Sequence, residues 1–262
     1  MSRSVELHEQ ILLLAHTPFG INENLLYRFY DMKYEQKILS IIDQYSSNII
    51  MCLSGHRHQD SFRLYSSSKG KLGLLGHPPI SPISYLSQPS IRKYSYNRQS
   101  LVLNDYEQYI LNIIDAERTQ TDKWTFSYRF SSWYHQSKQI TSQSLYHLIN
   151  LIRTNSFYLK RFLLAKHSTD RTVLTNHKII QTTCALTLLN FDEFLFCTRL
   201  LEKNNYSFFN LTINKSLEMN LLLNEQLIEY RLIYRRTIVC LFIVLFLCFS
   251  IIYWLFRKYF DN

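Results

Sequence analysis

Residues 10–20 read QILLLAHTPFG and residues 48–62 read NIIMCLSGHRHQDSF. Each begins as a short apolar run, QILLLA or NIIMCL, and empties into a polar segment that carries histidine. Runs of that length, closed by Pro or Gly, read as buried strands. Between them, Met32–Ser46 sets Ile38, Leu39, Ile41 and Ile42 in one stripe at helical spacing. Strand, helix and strand in succession make a βαβ unit, whose crossover favours a parallel pair with functional loops at the carboxyl ends of the strands. Both histidine loops are therefore expected at one edge of one sheet.

Further along, Phe62–Tyr65, Gly73–Leu75, Ile91–Tyr96 and Leu101–Leu103 are expected as short strands between turn-rich segments. All five glycines and all five prolines fall between positions 18 and 89. Glycine supplies backbone at positive φ and proline breaks helices, so the tight turns belong to the first third and the remainder is free to be helical. Helices are expected at Tyr106–Asp115, around Trp124–Trp133, and at Ser142–Arg153, Ser156–Ala165, Asn176–Leu188 and Phe191–Lys203. The expected fold class is α/β, with a βαβ/β-sandwich fragment over residues 1–104 and an all-helical region over 105–203.

Composition narrows the function classes. Over 262 residues, 47% are hydrophobic and 15% aromatic, which implies a packed core and excludes a disordered chain. The formal charge is +9, yet Lys and Arg are scattered in ones and twos with no zinc-finger, RNP-like or basic-helix signature. No nucleic-acid partner is expected. Five cysteines without a CxxC pair exclude a zinc ribbon or a thioredoxin-like motif.

Residues 237–256 read TIVCLFIVLFLCFSIIYWLF, an uncharged run long enough as a helix to span a bilayer core of about 30 Å. One transmembrane helix is expected there, with a short tail at 257–262. The sequons at Asn205, Asn210 and Asn214 mark 204–236 as a glycosylated juxtamembrane stalk. That places residues 1–236 in the lumen or outside the cell, although the polar N-terminus carries no export signal and leaves a cytosolic, tail-anchored arrangement as the lesser option.

The chemistry lies with the histidines. In Gly55-His56-Arg57-His58 the glycine lets the chain turn sharply, and imidazoles at i and i+2 can project to one side. Adding His16 from the neighbouring strand end gives three nitrogen donors of the kind that zinc-like ions take. Zn, Fe and Mn all accept such ligands, and a two-metal centre would further need carboxylates.

Ala15-His16-Thr17-Pro18-Phe19-Gly20 and Ser54-Gly55-His56-Arg57-His58-Gln59-Asp60-Ser61-Phe62 resemble the last two metal-binding blocks of the acid sphingomyelinase-like branch of the calcineurin-like metallophosphoesterases. The likeness continues through Pro79-Ile80-Ser81-Pro82, Gln88-Pro89-Ser90-Ile91-Arg92 and Tyr94-Ser95-Tyr96. It then follows Trp124, Tyr128 and Ser144-Leu145-Tyr146 into the family's helical C-terminal region, and covers roughly residues 8–200.

That resemblance implies a partial metallophosphoesterase domain and a two-metal phosphodiesterase acting on phospholipid or nucleotide phosphodiesters, with zinc as cofactor. It implies His16, His56 and His58 as metal ligands, and a disulfide between Cys184 and Cys197, for which two buried thiols are the alternative. The family's Asp-x-His, Gly-Asp-x-x-Asp and Asn-His-Glu-like blocks do not precede His16. They would supply the bridging carboxylate and the histidine that protonates the leaving group. No catalytic residue is assigned in this sequence, and the nearest acids, Asp60 and Glu23, belong to no motif. The chain as given is expected to be truncated and inactive or severely impaired; the alternative is a non-catalytic, membrane-anchored binding or scaffold protein built on the remnant fold.

Overall fold

The structure is a computed structural model of the whole chain, and the described residues are 9–66, 70–76, 88–136, 139–167, 175–204, 229–233 and 236–239. Met1–Ser216 form one compact unit and Leu217–Asn262 a second.

In the first unit, β1 (Ile11–Ala15) runs parallel to β4 (Ile49–Ser54), with α1 (Met32–Gln44) in the connection between them. The helix starts where the Asp31 side chain accepts from Lys33 N, satisfying one of the amides that a helix start leaves open. On the far side of β4, β6 (Lys71–Gly76) is also parallel, and β5 (Ser61–Ser66) closes the sheet antiparallel to β6, giving the order β1-β4-β6-β5. The excursion from β1 to α1 folds back on itself through the short ladder β2 (Ile21–Asn22) and β3 (Tyr27–Arg28). One face of the sheet packs Phe19, Ile42, Ile49, Cys52, Leu72 and Leu74 with Leu189. β1 is an edge strand: Ile11, Leu13 and Ala15 pack against this core, while Leu12 and Leu14 are exposed.

A second sheet, β7 (Ser90–Tyr96), β8 (Leu103–Leu111) and β9 (Trp124–Arg129), is antiparallel with β8 in the centre. Two short helices, α2 (Ile113–Thr119) and α3 (Phe130–Tyr134), flank β9 in sequence. The chain then becomes helical through α4 (Ser142–Thr154), α5 (Ser156–His167), α6 (Asn176–Ala185) and α7 (Phe191–Lys203). The capping box of Thr141 and Ser144 opens α4, whose Leu145 packs against the other face of the first sheet at Gly73. A β-carbon at Gly73 would lie 2.6 Å from Leu145 Cδ1, so the glycine is what lets helix and strand approach. The Cys184–Cys197 disulfide joins α6 to α7.

Two expectations are corrected. The region after 104 is not all-helical: Tyr106–Leu111 and Trp124–Arg129 are strands. In Tyr106-Glu-Gln-Tyr-Ile, polar and bulky residues lie side by side, and cross-strand pairing to β7 and β9 decides the backbone where the lack of Gly and Pro had left helix open. The membrane-spanning helix over 237–256, and the single-pass membrane placement built on it, are likewise not supported. No helix among the described residues is long and apolar enough to cross a membrane. The described helical turn at 236–239 spans about 6 Å at about 1.5 Å per residue, and the rest of the run, 240–256, lies outside the described residues. Asn205, Asn210, Asn214 and Pro79–Pro82 also lie outside them.

Candidate functional site

The parallel register puts Ala15 beside Ser54, so the segments leaving β1 and β4 start together. Gly55 N donates to His16 O at 2.9 Å and stitches the two exits to each other. His16 and His56 then meet: His56 Nδ1 lies 3.4 Å from His16 Nε2, with the rings edge to face. Phe29 sets its ring edge-on against His56 from the other side, and both imidazoles are exposed.

His56 and His58 both take left-handed backbone, φ 63° and 54°, so the turn is tight on either side of Arg57. His58 is half-buried beside them. Burial, with His16, His58 and Arg57 nearby, holds the His56 imidazole below its ordinary range.

Two facing imidazole nitrogens at 3.4 Å are too far apart for a good hydrogen bond. Two ligands of one tetrahedral zinc, each about 2.0–2.1 Å from the ion, stand about 3.3–3.4 Å apart, so the pair fits a shared cation. Among the described residues, however, no group of three or more His, Cys, Asp or Glu side chains is arranged to hold a metal ion.

The two acids nearest the histidines in sequence are committed elsewhere. Glu23 is buried among three cations: Arg57 Nη1 and Arg63 Nη2 donate to Oε2, the latter at 2.5 Å, and Lys166 Nζ donates to Oε1 at 2.6 Å. Burial by itself would raise the Glu23 carboxyl, but Arg57, Lys166 and Arg63 together hold it well below the usual carboxylate range. Burial pushes Lys166 down to about 8 and Arg63 down to about 10, against the pull of Glu23. Asp60 is buried too, paired with Arg92 Nη2 at 2.7 Å and accepting from the Tyr128 hydroxyl. The Arg92 guanidinium also lies over the Tyr106 ring, 4.0 Å from its centroid, so the Asp60–Arg92 pair ties the second sheet to the loop after His58.

The sequence reading thus brought the His16 and His56 loops to one sheet edge and missed the basic residues that surround Glu23. A signal existed for two: Arg63 inside SFRLYS and Lys166 after FLLA are charges set into apolar runs, where a buried charge needs a partner. Cys184 and Cys197 are bonded, as the resemblance implied, and Cys52 remains a buried free thiol.

Residues 79–204 match the acid sphingomyelin phosphodiesterase C-terminal region. The cyclic GMP-AMP phosphodiesterase SMPDL3A of Bos taurus is 27% identical over 202 residues, which covers 73% of this chain and 45% of that protein. The acid sphingomyelinase-like phosphodiesterase 3b of Mus musculus is 23% identical over 201 residues, 72% of this chain and 44% of the relative. The sphingomyelinase phosphodiesterase C of Dictyostelium discoideum is 25% identical over 170 residues, 59% of this chain and 37% of the relative. The chain spans less than half the length of each. Through its C-terminal region above all, this chain is similar to the acid sphingomyelinase-like phosphodiesterases.

Proposed function

We propose that this chain carries the histidine loops and the C-terminal region of a metal-dependent phosphodiester hydrolase, with His16, His56 and His58 as imidazole ligands for a zinc-like divalent cation. The observation that carries the reading is the approach of His16 and His56 across two successive strand ends, at a separation that one cation can bridge. In a two-metal centre the bound ions supply a hydroxide nucleophile and neutralise charge on the phosphoryl group. This chain's own contribution is to hold imidazole nitrogens at the exits of two paired strands, with His16 and His56 open to a phosphodiester from solvent. Phospholipid and nucleotide phosphodiesters are the substrate classes in question, as the names of the relatives indicate for those proteins.

The 262-residue sequence by itself is proposed to be inactive or severely impaired. A bridged metal pair needs a carboxylate, and Glu23 and Asp60 are both occupied by buried cations. A Co(II) titration of the chain alongside His16→Ala and His56→Ala, coupled to a chromogenic phosphodiester assay, tests both halves. One ion bound, lost in either variant, with no turnover, is expected; binding that survives both substitutions sinks the ligand assignment, and sustained turnover sinks the inactivity.

A further inference from the structure

Arg57 stands between the two histidines of the second loop, yet it points the other way. Its side chain is 4% exposed, whereas His56 lies in the open. The guanidinium reaches inward to Glu23 through Nη1, and Nη2 donates to Gln59 Oε1 at 3.2 Å. Glu23 cannot follow it if the loop moves, because Arg63 and Lys166 grip the same carboxylate and Arg63 Nη1 is itself tied to Ile21 O at 2.7 Å.

The backbone above this anchor needs holding. Left-handed φ at a residue with a β-carbon is strained and persists only when the surroundings impose it. The Gly55–His58 turn has two such residues, one on each side of Arg57. Glu23 lies in the same excursion as His16, between β1 and α1. The ion pair therefore connects the segment carrying His16 with the loop carrying His56 and His58.

We infer that the Arg57–Glu23 ion pair is a positioning device, in which Arg57 fixes the turn that brings His56 against His16. The inference rests on the proposed cation site for its purpose, but its geometry can be read without any metal. Arg57 touches no substrate or reacting atom; it acts through the two histidines that flank it.

The test uses the full chain with Arg57→Met, which keeps the aliphatic stem and leaves Glu23 compensated by Arg63 and Lys166. Lys166→Met, at the same carboxylate but carried on α5 and not on the loop, is the control. Two measurements are made on each: the nuclear Overhauser contact between the His16 and His56 rings in metal-free protein, and Co(II) affinity from its visible absorption. Arg57→Met is expected to keep its circular dichroism, lose the ring contact and lose Co(II) affinity at least tenfold, while Lys166→Met keeps both readouts.

Arg57→Lys, which retains the charge with a single donor, is expected to recover part of each readout, and it decides the matter if Arg57→Met does not fold. A folded Arg57→Met, or failing that Arg57→Lys, with an undiminished ring contact overturns the positioning role. Absence of the contact in the parent chain overturns it as well. A parent chain that shows the contact but takes up no Co(II) overturns the cation reading instead, and the ring contact then decides the positioning role alone.

Discussion

Lys166 Nζ lies 2.6 Å from Glu23 Oε1, a contact between residues 143 positions apart that fastens α5 to the excursion after β1. Lys166 also donates to Thr182 Oγ1 of α6 at 3.2 Å, so one ammonium joins three parts of the fold. Around Glu23 there are three cations and one anion, all buried.

That imbalance predicts an asymmetry between substitutions. Glu23→Gln leaves three buried cations without a counter-charge and should cost about 3–5 kcal/mol, the usual loss when a buried ion pair is broken from one side. Lys166→Met leaves Glu23 paired with two arginines and puts an apolar chain in a dry site, so it should cost no more than about 1 kcal/mol. Urea denaturation of the two variants measures the difference, and equal losses would show that the hub does not work by charge compensation.

The same lysine makes stability depend on alkaline pH. Burial pushes Lys166 down to about 8, whereas its ordinary value is 10.5, so between these limits the unfolded chain holds a proton that the folded chain has released. Stability from this group therefore rises as pH increases through that window, by at most about 1.4 kcal/mol per pH unit. Subtracting the Lys166→Met profile from that of the parent chain isolates it; a difference that is flat from pH 8 to 10 would contradict the assignment.

The disulfide gives a prediction free of electrostatics. Cys184 and Cys197 close a loop with a sequence separation of 13, for which chain entropy gives a stabilisation of about 2–3 kcal/mol. Replacing both by serine should lower the unfolding free energy by about that amount and leave the first sheet intact, because only α6 and α7 are joined. Thermal melts in the presence and absence of reductant should differ for the parent chain and coincide for the double variant.

The βαβ core was legible because its signals are local: apolar runs of strand length, a helical stripe in Ile38–Ile42, and polar breaks between them. α1 and α7 fall where the periodicity put them, within a residue or two at their ends. β8 and β9 were not legible, because their residues suit either backbone and the pairing partners are distant in sequence. The histidine pair was legible for a topological reason, since successive parallel strands deliver their loops to the same edge. The Glu23 hub was hidden because no periodicity or short motif connects position 23 with 57, 63 and 166; only the folded chain brings them together.

Gly20 connects packing with the site. Its φ is +97°, and a β-carbon there would lie 3.2 Å from Leu189 Cα and 2.9 Å from Leu189 Cδ2. An L residue is strained in that conformation, and the nearest obstacle includes backbone, which cannot swing away as a side-chain tip can. Gly20→Ala should therefore cost about 1–3 kcal/mol by strain and overpacking together. Gly20 O accepts from Phe29 N at 3.0 Å, and Phe29 packs on His56, so relief of the clash should also disturb the imidazole pair. Histidine ring resonances should shift in Gly20→Ala and stay in place in Leu189→Ala, which removes packing without moving the loop; identical spectra for Gly20→Ala and the parent chain would break this link between core and site.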